Sequence, residues 1–411
     1  MTTFFDTVLT LGRRRGHSGD MTLTVDETPF GFDPLNPGFR ADPYSVYRRQ
    51  RETDPVHHSP MGIWTLTRHA DCEAALRDQK LGHGDGINGS DHLSFLTLNP
   101  PDHTRLRGLV SRAFTPKVIR ELRPRIEQRV TELLAPLRDG GEFDLISGFA
   151  YPLPVMVISE LIGVPVEDQS RFSGWSEEMA RGIDPDFLQT PDQLVRRDQA
   201  KLEFDNYFRE LIAARRGRPA DDLLTGLVAA EQDGDKLDEQ ELLDILALLL
   251  VAGHETTVNL IGNGALALLR NPSQLQLLRE DPSLAPSATE ELLRYDSPVQ
   301  FVSRVALADT TVAGHPVAAG EIVSMILGAA NRDPSAFPDP DRLDLTRQSG
   351  RLVSFGQGIH FCLGAPLARL EGQLALAGLA TALPALELVD EQPAYRDHFI
   401  LRGVSALHVR A

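Results

Sequence analysis

Cysteine is nearly absent from this chain: there are two in 411 residues, Cys72 and Cys362. Two cannot build a disulfide framework or a cysteine-based zinc cage, so whatever cysteine does here it does singly. Basic residues are short as well, 41 against 58 acidic, which leaves a formal net charge of −17. That deficit argues against nucleic acid as a partner, which needs a basic face, and favours a cytoplasmic protein. No uninterrupted apolar run reaches about 18 residues, so no membrane span is expected, and residues 242–252 are too short to be one. The apolar stretch 4–11 is followed, not preceded, by Arg13, Arg14 and Arg15, the reverse of a signal peptide. Internal repeats, low-complexity linkers and a Gly-x-Gly-x-x-Gly at the start of the chain are missing too, so nothing marks a dinucleotide-binding unit.

What is present fits one folded domain over residues 21–411, preceded by a flexible leader of residues 1–20. Hydrophobic residues at 42% and charged residues at 24% allow a sizeable core. The stretch 42–55 has the pattern of an amphipathic helix ending before Pro55. Alternation at 63–67 suggests a strand, and helical periodicity returns at 69–78. Residues 81–98, rich in Gly, His, Asp and Asn, have no period and are expected to be a long loop. Pro100 and Pro101 open a helix with Asp102 in its first turn. From 117 to 270 the pattern is helical, interrupted by prolines, and Asp238 with Glu241 caps a helix reaching Arg270, about 50 Å long. Residues 299–325 alternate as short strands, and an irregular Pro- and Asp-rich segment, 333–344, follows.

Around Cys362 the order is Phe355-Gly356-Gln357-Gly358-Ile359-His360-Phe361-Cys362-Leu363-Gly364, then Ala365-Pro366. The two glycines let a loop double back, and Pro366 suits the first turn of a helix. Cys362 therefore sits just ahead of a helix N-terminus, where the dipole and free N–H groups should lower the proton affinity of its thiol. A lone cysteine is ordinarily a small buried hydrophobe. A chance match to Phe-x-x-Gly-x-x-x-Cys-x-Gly, however, has odds on the order of one in a thousand in such a chain, which favours a functional loop. Zinc held by His360 and Cys362 lacks companion ligands, and a nucleophilic cysteine lacks an oriented histidine. Elsewhere, Ala252-Gly253-His254-Glu255-Thr256-Thr257 places an acid beside a hydroxyl within an apolar helix, where burial without purpose is costly. The ordinary alternative is that Thr256 bonds back to a carbonyl and Glu255 is solvated. Glu291 and Arg294, three apart, fall on one helical face, where such pairs are usually minor surface features.

The cysteine loop resembles the haem-binding signature of the cytochrome P-450 superfamily, and the likeness runs from about residue 30 to the C-terminus. The resemblance implies a mainly α cytochrome P-450 fold, a large helical part with a smaller β-rich part, with haem b between the long central helix and the cysteine loop. Cys362 would be the iron's thiolate ligand, with Gly364 beside it. Thr256 would help hold dioxygen and Glu255 would help relay protons. His103, Arg107, Arg304 and His360 match the family's contacts to the haem propionates. Glu291 and Arg294 match its buried Glu-x-x-Arg pair, and Arg342 fits the third place, although Leu343 departs from the aromatic often found next. The substrate pocket would draw on 81–98, on 172–188, and on Leu248, Leu249, Ala252, Val299, Phe301 and Ile400. His83, Asp85, Asn88 and His92 in the first of these segments could meet a polar substrate, although a loop of that makeup is ordinarily just solvated.

The expected activity is monooxygenation, a hydroxylation or epoxidation of a secondary metabolite of polyketide or peptide type, free or carrier-bound. A ferredoxin and its reductase would supply electrons; Arg105, Arg112 and Lys117 read as ordinary surface residues, with a basic patch for an acidic ferredoxin as the weaker alternative. Two alternatives are a peroxide-driven peroxygenase, whose members tend to lose the acid–alcohol pair, and a haem-free docking module on a peptide assembly line, which would show a damaged cysteine loop. Glu255, Thr256 and the loop are intact. Cys72 is expected to be a packing residue.

Overall fold

Asp42, whose carboxylate accepts from the N–H groups of Tyr44 and Ser45, caps the helix Pro43–Thr53, as the helical pattern predicts. The computed structural model describes residues 28–411 except 35, 85–93, 185, 187, 188, 233, 234 and 349. The expected leader, and Asp85, Asn88 and His92, lie outside the described residues.

The helices that frame the site are α1 (His69–Arg77), α2 (Asp102–Ala113), α3 (Pro116–Leu134), α4 (Pro152–Ile162), α5 (Gln169–Ala180), α6 (Pro191–Gly217), α7 (Glu239–Leu269), α8 (Ala285–Tyr295) and α9 (Ala365–Ala382). Several of the prolines that punctuate the sequence open helices: Pro116, Pro152 and Pro191 each stand in a first turn, where a missing N–H costs nothing. In α3 the residues Ile119, Leu122, Ile126, Val130 and Leu134 form one buried stripe, the spacing an amphipathic helix requires.

The long helix appears as expected. Asp238 and Glu241 form a reciprocal capping box, and 31 residues later the helix stops before Pro272. By length and composition α7 could cross a membrane, but 78% of its apolar window is buried inside the protein, as befits a central core helix. It packs against α4, α5, α6, α8 and α9. The main core draws Ile126, Leu153, Phe172, Phe204, Leu246 and Leu379 from these helices into one cluster.

The β-rich part is a five-stranded sheet in the order β1 (Val56–His58), β2 (Ile63–Leu66), β5 (Ile322–Met325), β4 (Val302–Ala306), β3 (Leu81–Gly82). Only β2 and β5 run parallel. Residues 81–98, expected to be loop throughout, supply strand β3 and a short 3-10 turn, Ser94–Thr97. Between β4 and β5, the hairpin Thr310–Val312/His315–Val317 turns through Ala313 at φ 48° and Gly314 at φ 84°. Two successive left-handed residues match the twist of a tight hairpin. Cys72 is fully buried with Trp64, Leu66, Val323 and Val353 beneath this sheet, and burial raises its thiol far above the usual range.

Candidate active site

Two glycines shape the cysteine loop: Gly356 (φ 68°) and Gly358 (φ 71°) both adopt the left-handed conformation. A Cβ on Gly358 would lie 2.8 Å from the carbonyl oxygen of Leu76, so the loop can pass the end of α1 only with glycine there. The loop closes where the N–H of Cys362 donates to Phe355 O at 2.9 Å, and α9 begins three residues later with Pro366 in its first turn. Arg369 lies over the ring of Phe355 and pairs with Glu290 at 2.6 Å, which ties the loop to α8.

Cys362 keeps accessible surface although protein atoms crowd its sulfur. That crowding dominates and raises the thiol, while the N–H of Gly364, the charge of Arg107 and the N–H of Ala365 pull it down. The expected lowering by the helix start is therefore present but outweighed: without a metal, the thiol is favoured over the thiolate. A Cβ on Gly364 would stand 3.9 Å from Sγ, an ordinary contact distance.

Beside the loop, four residues predicted from separate parts of the sequence converge, joined by a fifth. The rings of His103 and His360 lie 4.2 Å apart, and His83 meets His360 edge-on at 4.8 Å. Arg107, one turn after His103 on α2, donates to the carbonyl of Phe361. Arg304 on β4 donates to Ser303 O at 2.9 Å, and burial pushes its guanidinium down to about 10. Burial first, then the charge of Arg304, drives His360 to about 2 and His83 to about 3; burial and Arg107 lower His103 as well. All three imidazoles are thus neutral near pH 7.

His103 is 2% exposed, and neither ring nitrogen has a partner among the described residues. No carboxylate among those residues pairs with Arg107 or Arg304. Two shielded cations and donor imidazoles without an acid fit a group carrying carboxylates of its own, next to a cysteine sulfur able to ligate a metal. Haem meets that description. Among the described residues no cluster of three His, Cys, Asp or Glu could hold a metal otherwise, which removes the zinc alternative there.

Sequence reasoning assigned His83 to the substrate loop. The signal for its actual place is register: Leu81 pairs with Ala306 and Gly82 with Val305, so the next step along the ladder sets His83 opposite Arg304.

Between residues 245 and 268 of α7, accessible surface is confined to one stripe, Leu249, Ala252, Gly253 and Thr256, which follows the i, i+3, i+4, i+7 rule. Leu248, expected to line the pocket, is 5% exposed and packs into the main core, because one residue's rotation turns it off that stripe. Phe301, also expected there, is 3% exposed and packs with Phe30 and Phe399 instead. Val299 and Ile400 keep partial exposure.

Thr256 donates to Ala252 O at 2.7 Å and Thr257 to Gly253 O at 3.1 Å, the local back-bonding that serves as the ordinary reading of Thr256. The ordinary reading of Glu255 fails: it is 1% exposed, not solvated, and both its oxygens lie 3.0 Å from Nη1 of Arg396, a partner the sequence did not suggest. His254 is buried too, with Nδ1 2.6 Å from Ser176 Oγ on α5 and burial pushing it down to about 3.

The Glu291–Arg294 pair is fully buried, at 2.7 and 2.9 Å. Its third member is Arg347, not Arg342. Arg347 Nε lies 3.2 Å from Glu291, with its other nitrogens on the carbonyls of Pro338, Asp339 and Arg342. Arg342 presents its carbonyl to Arg294, so its side chain leaves on the opposite side, 59% exposed, where Asp339 and Asp344 hold it at 3.0 and 2.9 Å.

A protein-family model, Cytochrome P450, matches residues 63–382. The polyketide biosynthesis cytochrome P450 PksS of Bacillus subtilis (strain 168) is 41% identical over 92% of this chain and 98% of its own length. A vitamin D(3) 25-hydroxylase of Pseudonocardia autotrophica is 43% identical over 95% of this chain and 98% of its own length. The solved structure of P450BioI in complex with an acyl carrier protein ligated to hexadec-9Z-enoic acid matches with a TM-score of 0.84 at 38% identity, covering 91% of this chain and 98% of that one.

Proposed function

This chain belongs to the cytochrome P450 family and is a haem-thiolate monooxygenase, and on that premise we propose that Cys362 ligates the iron while the substrate is a secondary metabolite of polyketide or peptide type. The gathering of Arg107, Arg304, His103 and His360 beside Cys362, with no acid of their own among the described residues, carries the site assignment. When bound, the haem supplies the dioxygen-activating chemistry.

The chain's own residues do the rest. Arg107 and Arg304 would neutralise the haem carboxylates, and the imidazoles of His103 and His360 would donate to them. The Leu249–Thr256 stripe of α7 supplies the apolar wall against which a substrate is held. Thr256 Oγ1, released from Ala252 O, donates a hydrogen bond toward the reacting oxygen, and the Glu255 carboxylate passes protons inward from solvent. Electrons come from a separate redox partner, which we assign as a ferredoxin served by its reductase, in the cytoplasm.

The substrate reading is supported by likeness to PksS, and the carrier-bound form by likeness to P450BioI, solved in complex with a ligated acyl carrier protein. The retained Glu255–Thr256 pair favours oxygen and electrons over peroxide as the oxidant.

Spectral titration of the haem-loaded protein with macrolactones, small peptides and their carrier thioesters tests the substrate class, with the products weighed by mass spectrometry. The expected result is saturable binding in one of these sets and a product one oxygen heavier with ferredoxin and reductase. Turnover with peroxide alone, and none with the electron partners, would favour the peroxygenase reading.

A further inference from the structure

Near the C-terminus the chain doubles back. Arg396 N–H donates to Gly403 O at 2.9 Å, Tyr395 bridges to Val404, and Ser405 N–H donates to Ala394 O at 2.8 Å. The tip between these arms carries His398, Phe399 and Ile400. On the returning arm, Gln300 N–H donates to Ile400 O at 3.0 Å and Val299 bridges to Leu401; on the outside, Asp397 pairs with Arg40.

One buried acid grips the tip itself. Asp184 follows the short turn Arg181–Ile183 at the end of α5 and is 7% exposed. Its carboxylate accepts from Phe399 N–H at 3.0 Å and Ile400 N–H at 3.1 Å, and lies 3.1 Å from His398 Nδ1. No arginine or lysine shares it among the described residues. A buried carboxylate is costly unless hydrogen-bonded, and here the C-terminal tip supplies those bonds. Two residues before the tip, Arg396 holds Glu255; from the other side, Ser176 of α5 holds His254. The end of α5, the C-terminal tip and the middle of α7 thus form a closed circuit around residues 254 and 255.

We propose that Asp184 is a positioning residue for proton delivery: by pinning residues 398–400 it fixes Arg396 against Glu255. The proposal rests on Glu255 serving as a proton relay. Without Asp184 the three donors of the tip lose their acceptor, the arm carrying Arg396 gains freedom, and Glu255 is no longer held in one place. Proton supply then shifts the fate of dioxygen between two reductions. With two electrons and two protons it leaves as hydrogen peroxide, and with four of each as water, the electrons coming from the redox partner in both cases.

The test uses substrate-free holoenzyme with its electron partners and compares wild type with Asp184→Ala, Asp184→Asn, His398→Ala and Glu255→Gln. Two quantities are read: hydrogen–deuterium exchange of the peptide spanning 395–404, and peroxide released per dioxygen consumed. Asp184→Ala should speed exchange at least tenfold and change the peroxide share at least twofold, in the direction set by Glu255→Gln. Asp184→Asn, which keeps one acceptor oxygen, should fall between, as should His398→Ala. These two carry the test if the alanine variant fails to fold. Faster exchange with an unchanged peroxide share would reduce Asp184 to a structural tie and overturn the proposal while leaving Glu255 as the relay. An unchanged share in Glu255→Gln would overturn both.

Discussion

Glu255, fully enclosed in the middle of α7, has both carboxylate oxygens 3.0 Å from a single nitrogen of Arg396, 141 residues further on. A buried acid in a largely apolar helix is tolerable because that guanidinium reaches it.

Removing Arg396 should therefore strand a buried charge. Arg396→Ala is expected to cost about 3 kcal/mol of stability, and the double variant Glu255→Gln/Arg396→Ala less than Arg396→Ala alone, since the second change removes the stranded charge. Denaturant midpoints of the four proteins in this cycle measure it; a double variant weaker than Arg396→Ala would contradict the pairing.

Arg347 and Arg342 provide a second contrast, five residues apart in one irregular segment. Arg347→Ala leaves the buried Glu291 with one cation fewer and frees three carbonyls, and should lower stability by roughly 2 kcal/mol or more. Arg342→Ala should change it by no more than about 0.5 kcal/mol, because its ion pairs lie at the surface. The reverse order would restore Arg342 as the third member.

These two cases show where the sequence was legible. Features made by neighbours along the chain were readable in advance: the Asp238–Glu241 capping box, the start of α2 after Pro100 and Pro101, the left-handed glycines before Cys362. Haem-site residues far apart in the chain, such as His103 and His360, were placed by likeness to a family, and the fold brings them together. What remained hidden depends on which way a side chain leaves an irregular backbone. Arg347 was missed and Arg342 misassigned because no period governs 333–347. Arg396 and Asp184 were missed because their partners are reached only through tertiary contact. Leu248 was misplaced for a smaller reason, one step of helical rotation away from Leu249.

Glu371 on α9 predicts a pH dependence. It is 1% exposed, Oε2 has no partner among the described residues, and burial pushes its carboxyl up to about 8. A carboxyl raised in the folded state is neutral there while the unfolded chain's is already ionised, so its contribution to stability is full below the unfolded value and falls as pH rises toward 8. Glu371→Gln cannot ionise. The variant should match wild type near pH 4.5 and become progressively the more stable of the two up to about pH 8. Urea midpoints at both ends of that range check this, and a constant difference between the proteins would refute it.

If Cys362 supplies the iron's thiolate, the reduced carbon monoxide spectrum reads that ligand itself. Wild type and Cys72→Ala, which alters only a packing residue beneath the sheet, should both show the long-wavelength Soret band of thiolate-ligated haem, and Cys362→His should lose it. A wild-type protein that binds haem without that band, or a Cys72→Ala variant that loses it, would contradict the account.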